Sequence, residues 1–171
     1  MNRQLIILIL VNIFFLKFSF AQLNASEKKV NKNKISKQIT AYVEEHYKGK
    51  PVKYYILKTD KDSILYEAKV KSDRKKINLT FNEKGEFVAI DSEVPFREVS
   101  ENIKKLINTY LSENYTNYKI IHCRDLKMGN QQIYQLDVSV KKKKYRFKFK
   151  NDGTLIDYKE LPLKTISLLF N

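Results

Sequence analysis

Along residues 35 to 91, and again along residues 103 to 159, apolar and polar positions follow one order, offset by 68 residues without a gap. Ile35, Ile39, Tyr42, Glu45 and Tyr47 answer to Ile103, Ile107, Tyr110, Glu113 and Tyr115, and Tyr66, Val70, Phe81 and Gly85 answer to Tyr134, Val138, Phe149 and Gly153. In the first stretch Ile35, Ile39, Tyr42, Val43 and Tyr47 keep the spacing of an amphipathic helix, which Gly49 and Pro51 end. The period then becomes that of strands. Tyr54 to Leu57 form a first run, Tyr66, Ala68 and Val70 alternate with Glu67, Lys69 and Lys71, and Ile77, Leu79 and Phe81 alternate with Asn78, Thr80 and Asn82. Asn82-Glu83-Lys84-Gly85 is a hairpin loop, and Phe87 to Ile90 return from it.

The second stretch repeats this order after Val94-Pro95-Phe96, where Pro suits the first turn of a helix and Glu98 and Glu101 suit its positive end. Its helical stripe is Val99, Ile103, Leu106, Ile107, Tyr110, Leu111 and Tyr115. Strands are predicted at Ile120 to Cys123, from Tyr134 to Val140, from Tyr145 to Phe149 and from Leu155 to Tyr158, with Asn151-Asp152-Gly153 as the turn. The expected fold is α+β, two tandem repeats, each one helix packed on a four-stranded antiparallel sheet, with the other sheet face polar and solvated. The units run from 35 to 93 and from 94 to 160. Residues 161 to 171 read as a short helix or the stub of a further unit, because Leu161-Pro162-Leu163 echoes Val94-Pro95-Phe96.

The amino terminus changes the compartment. Asn2 and Arg3, the apolar run from Leu5 to Leu16 and Ser19-Phe20-Ala21 have the three parts of a secretory signal peptide, with cleavage expected after Ala21. The run is shorter than the ~20 residues that a spanning helix needs, so no membrane anchor is expected after cleavage. Residues 22 to 34 are too polar for a packed element and read as a flexible leader. The mature chain is expected to be periplasmic or secreted.

Of 171 residues, 33 are Lys or Arg and 19 are Asp or Glu; removal of Arg3 and Lys17 with the signal leaves 31 basic residues and a net charge of +12. Such a charge attracts polyanions and acidic protein faces. Only Arg3, Arg74, Arg97, Arg124 and Arg146 are arginines, and no recognised nucleic-acid module is present, so nucleic acid is not expected as a partner. The richness in Lys, Ile, Asn, Tyr and Phe is also what an AT-rich coding sequence favours.

The residues with chemical potential are few. Cys123 is the single cysteine, which excludes an internal disulfide, and it reads as a small buried hydrophobe rather than a reactive thiol beside His122. His46 and His122 are far apart, and Glu44-Glu45-His46 reads as a helix surface, so no metal is expected. With four glycines there is no phosphate loop, no nucleophile, base and orienter assemble from a motif, and neither cofactor nor catalysis is expected. The sequons at Asn24, Asn78 and Asn114 read as chance.

Val94-Pro95 leading into a helix with Tyr110 and Tyr115, then Tyr134, Val138, Tyr145, Phe147, Phe149 and Gly153, resembles the PepSY-like, β-lactamase-inhibitor-like family of secreted Bacteroidetes-type proteins. The resemblance covers nearly all of the mature chain and its motifs are structural. It implies a helix on a four-stranded sheet, repeated, no known enzymatic activity and an association with peptidase propeptides and inhibition. No functional residues are carried over with it.

A candidate surface comes from strand period instead. If Tyr145, Phe147 and Phe149 face the helix, Lys144, Arg146, Lys148 and Lys150 line the opposite face as a cationic stripe, extended by Lys141 to Lys144. The corresponding first-stretch residues are Lys76, Asn78, Thr80 and Asn82. The stripe is either a solvated face that discourages edge pairing or a docking surface for an acidic protein or peptide. An envelope polyanion is the alternative partner. In Tyr54-Tyr55, whichever ring faces outward is a candidate aromatic anchor.

Overall fold

The computed structural model describes residues 26–59, 63–72 and 75–162. The signal peptide, its cleavage point and the tail from 163 to 171 lie outside the described residues, as do residues 22 to 25 of the leader.

Among the described residues nine strands form one antiparallel sheet in sequence order: β1 (Ser26–Val30), β2 (Val52–Lys58), β3 (Ile64–Ser72), β4 (Lys75–Phe81), β5 (Phe87–Glu93), β6 (Tyr118–Met128), β7 (Gln131–Val140), β8 (Lys143–Lys150) and β9 (Leu155–Leu161). Two helices, α1 (Lys37–His46) and α2 (Glu101–Asn114), interrupt the run of strands. The expected two tandem units, each a helix on its own four-stranded sheet, are thereby corrected. β5 does not end a first sheet but pairs with β6, from Ala89 opposite Met128 to Glu93 opposite Arg124, so the strands merge into one sheet. The physical reason is the edge: an unpaired β5 would present a row of open backbone groups, and β6 satisfies them.

The leader is corrected as well. Ser26–Val30 pairs with β2 as a ninth strand, Ser26 opposite Lys58 and Val30 opposite Tyr54. Its side chains are mostly exposed, so backbone pairing carries it, helped by Glu27 accepting from Lys69 Nζ at 2.6 Å and by Val30 packing on the core.

Helix entry follows one local design at both places. A 3-10 turn, Lys32–Lys34 in one case and Phe96–Glu98 in the other, closes through Ile35 N–H to Lys32 O and Val99 N–H to Phe96 O. It buries Ile35 and Val99 before the helix starts, then Ser36 and Ser100 take the N-cap positions. The stripes predicted from Ile35 and Val99 therefore begin in a 3-10 turn, and Pro95 precedes that turn rather than opening α2. Ser36 Oγ accepts from Ile39 N–H at 3.4 Å.

Ile39 and Val43 of α1 pack with Tyr54, Ala68, Val70, Leu79 and Phe81; Ile107 and Leu111 of α2 pack with Cys123, Tyr134, Leu136, Val138, Phe147 and Phe149. Register places both groups on one face of the sheet, since Ile90, which packs on the first group, lies opposite Lys127, and Cys123 alternates onto that same face. The hairpin glycines, Gly85 at φ +83° and Gly153 at φ +82°, turn hard against the helices: a Cβ would come within 2.9 Å of Ser36 Oγ and 2.6 Å of Leu106 Cβ respectively.

Candidate functional site

The sheet face away from α1 and α2 carries Lys144, Arg146, Lys148 and Lys150 of β8, since Tyr145, Phe147 and Phe149 alternate onto the helix face. Across the strands the same face carries Glu27, Tyr55, Glu67, Lys69, Asp91, Arg124, Gln135, Asp137 and Asp157. No described helix or strand lies over it, yet Leu126, Ile133 and Gln135 on it are only 8–9% exposed. The long side chains of this face are therefore dense enough to shield its centre.

The four-residue stripe is not a bare cationic surface. Asp137 lies directly opposite Arg146 in register, and the guanidinium grips its carboxylate with both prongs, Nε to Oδ1 at 2.7 Å and Nη2 to Oδ2 at 2.9 Å. Hydrogen bonding to Asp137 raises the Arg146 pKa further, so the charge is permanent. Lys148 is mostly covered, its side chain 12% exposed, with Nζ 3.8 Å from Asp157. Burial lowers the Lys148 pKa, with Asp157 opposing. Lys144 is half-buried and Lys150 exposed at the ends of the stripe.

The ion pairing extends across the face. Arg124 donates from Nε to Asp91 Oδ1 at 2.8 Å and from Nη2 to Asp91 Oδ2. Lys69 reaches Glu27 at 2.6 Å and Glu67 at 3.3 Å, and its ammonium stands 4.3 Å from the centre of the Tyr55 ring. Burial raises the carboxyl pKa of Glu67 and of Asp91 ahead of the lowering by Lys69 and Arg124. The result is a half-dry lattice of alternating charges suited to a partner with its own patterned charges, rather than a uniform positive field.

The sequence missed this lattice because its acidic partners, Glu67 beside Lys69 excepted, come from a different strand than the cation they pair with. One signal was available: the two-residue Lys141-Lys142 turn, with Lys141 at φ +53°, fixes the β7–β8 register and hence Asp137 against Arg146. Of the paired tyrosines, Tyr54 is buried in the core and Tyr55 faces the open side. Cys123 is buried, and loss of hydration pushes its thiol up to about 12, so it stays protonated near neutral pH. His46 stacks on Tyr42 at 4.2 Å, and His122 Nδ1 stands 3.6 Å from Glu93. Among the described residues no group of His, Cys, Asp or Glu is arranged to hold a metal ion, and no described helix is long and apolar enough to cross a membrane.

No family model and no curated protein matches the chain. Solved structures do match. A DUF2874 family protein from Bacteroides ovatus superposes with a TM-score of 0.57 at 16% identity, covering 72% of this chain and 86% of its own. A BLIP-like protein from Bacteroides fragilis gives 0.56 at 15% identity, covering 74% and 86%. A protein described as periplasmic from Bacteroides eggerthii gives 0.59 at 14% identity, covering 73% and 88%. The likeness is one of fold. The β-lactamase-inhibitor-like side of the sequence resemblance thus has structural counterparts, whereas none of these three is named PepSY-like.

Proposed function

We propose that the chain is an exported, non-catalytic binding protein that engages a partner protein or peptide across the uncovered sheet face, in the manner of an inhibitor-like or PepSY-like module. The signal-like amino terminus and the neighbour described as periplasmic support export. The BLIP-like neighbour supports a binding fold rather than a catalytic one. The observation that carries the reading is the charge lattice: Arg146–Asp137 and Arg124–Asp91 hold their charges in fixed forks on an uncovered face, which gives a preformed pattern to dock against.

The lattice dictates the test. Reversing Arg146 would set two carboxylates face to face and unsettle the sheet, so the informative variant is Lys144→Glu with Lys150→Glu at the rim. Mature wild-type and variant proteins serve as baits on envelope and secreted extracts at low and high salt. A discrete protein held by the wild type at high salt and lost by the variant supports the reading. Equal capture by both would remove the β8 stripe from the interface. Broad recovery of anionic material that disappears with salt would favour an envelope polyanion, consistent with the mature charge of +12.

A further inference from the structure

At the β2–β4 end of the uncovered face the cations are not paired off as Arg146 and Lys148 are on β8. Register sets four rows of side chains there: Leu57 opposite Leu65, Tyr55 opposite Glu67, Lys53 opposite Lys69, and Lys71 opposite Lys76. Successive rows lie about 6.6 Å apart, so the surface runs for about 20 Å from an apolar pair, past a tyrosine, to lysines. Tyr55 and the two leucines are half-buried, and Lys53, Lys71 and Lys76 are exposed. Lys69 is held by Glu27 and Glu67, whereas Lys53, Lys71 and Lys76 have no acidic partner among the described residues. Like charges set directly opposite one another cost stability. The pair that matches Lys71 and Lys76 across the 68-residue offset is Ser139 and Lys144, and Lys69 is matched by Asp137, which Arg146 grips. The repeat thus has a form without this repulsion, and β2–β4 keep the repulsion.

We propose that this end of the face docks an acidic segment of a partner protein, with carboxylates over Lys53, Lys71 and Lys76 and an apolar side chain against Tyr55, Leu57 and Leu65. The inference rests on the reading of the uncovered face as the interface; it adds the partner's chemistry and places the main contact on β2–β4 rather than β8. Carboxylates brought by a partner relieve a repulsion that the sheet leaves in place, and complementary charge also speeds encounter. Each lysine is a rotatable triple donor on a flexible stem, so the carboxylates need not match the strand spacing. Tyr55 is already oriented by the Lys69 ammonium 4.3 Å from its ring centre, so little freedom is lost when it is used as an anchor. A bare polyanion would satisfy the lysines and leave Tyr55 and the leucines uncovered, which favours a protein segment carrying both kinds of group.

The test titrates the mature protein with a synthetic peptide that alternates Glu and Ala and ends in Phe-Leu, followed by amide chemical shifts and by calorimetry at physiological salt. Saturable shifts are expected at Lys53, Tyr55, Leu65, Lys71 and Lys76, and the same peptide with Gln in place of Glu should not saturate them. Lys53→Gln with Lys71→Gln and Lys76→Gln should weaken binding by about tenfold or more, at a melting temperature equal to or above that of the wild type because like charges are removed. Lys71→Ser, which copies Ser139, should weaken it by about threefold and keeps the test informative if the triple variant folds poorly. Lys34→Gln with Lys37→Gln and Lys105→Gln, on the helical side, removes the same charge and should leave affinity unchanged. Shifts confined to Lys144 to Lys150 would overturn this placement and leave the uncovered face as the interface, whereas shifts on α1 or α2 in place of the sheet would overturn both. No saturable shifts, unchanged affinity in the triple variant, or inorganic polyphosphate binding the same residues as tightly as the peptide would overturn the acidic segment, and the capture from envelope and secreted extracts would then judge the uncovered face independently.

Discussion

Around α2 the core is aromatic and full. Phe147 and Phe149 are completely buried, Tyr110 and Tyr115 meet them edge-on, and Tyr158 stacks on Phe147 at 6.0 Å. Around α1 the position matching Phe147 is Leu79, the position matching Leu136 is Ala68, and Phe96 and Tyr118 give way to lysines. The order of elements is the same, so the fold tolerates either filling. The contrast is one of filling: dense aromatic packing near α2, and smaller core side chains at the matching positions near α1. The uncovered face differs in charge rather than volume. Lys69 becomes Asp137 and Glu67 becomes Gln135 across the 68-residue offset.

The largest effect should come from removing the aromatic filling. Phe147→Ala is expected to cost about 3–5 kcal/mol, from lost burial and the cavity left behind, with ring contacts worth about 0.5–1.5 kcal/mol each lost as well. Leu79→Ala, the matched change near α1, is expected at the lower end of about 2–5 kcal/mol because its neighbour Ala68 leaves a smaller wall to collapse. Urea midpoints at constant slope measure both. Equal losses would break the contrast in packing.

The hairpin glycines sharpen the same comparison at smaller scale. Gly153→Ala forces a Cβ to 2.6 Å from Leu106 Cβ, which is fixed to the α2 backbone, while Gly85→Ala meets Ser36 Oγ, which can rotate away. Both pay for a left-handed φ. We expect about 1–3 kcal/mol for Gly153→Ala, and less for Gly85→Ala, read from thermal unfolding. A larger loss at Gly85 would mean that α1, not α2, sits closer to the sheet end.

Much of this was legible along the chain, and the illegible parts share a cause. Alternation at Tyr66, Ala68 and Val70 and at Tyr145, Phe147 and Phe149 reports which side chains face a core, because burial selects apolar residues at every second position. It says nothing of which strand lies beside which. The β5–β6 junction is made by backbone groups, and of its pairs only Ala89 with Met128 joins two apolar side chains, the others, such as Ser92 with Asp125, including at least one polar residue. β1 was invisible for the same reason, being Ser-Glu-Lys-Lys-Val held mainly by backbone pairing. The stripe at Lys144 to Lys150 follows from strand period alone, but its pairing with Asp137 and Asp157 depends on register between strands.

That neutralisation can be measured at Arg146. Both members of its pair with Asp137 are mostly shielded, their side chains 17% and 14% exposed. Arg146→Gln leaves Asp137 without its fork and is expected to cost about 1–2 kcal/mol, below the figure for a fully buried pair because some water still reaches it. The matched residue on β4 is Asn78, opposite Lys69, so Asn78→Ala should cost under about 0.5 kcal/mol. Chemical denaturation separates them. A neutral Arg146→Gln would mean that the pair is offset by its own desolvation.

The smallest expected effect is a change of pH dependence at Glu67, whose counterpart 68 residues on is the uncharged Gln135. Burial raises the Glu67 carboxyl above its ordinary value, with Lys69 only partly opposing, so the folded protein holds this proton more tightly than the unfolded chain does. Between the unfolded and the raised folded value, unfolding releases protons, and stability from this group rises as pH falls through the folded value. The gain is complete below the unfolded value. Glu67→Gln writes the Gln135 chemistry into β3 and removes that gain. Melting temperatures measured from pH 7 down to pH 4 should show the wild type gaining on the variant as acid is added; parallel profiles would mean that the Lys69 ammonium holds Glu67 at its ordinary value despite its burial.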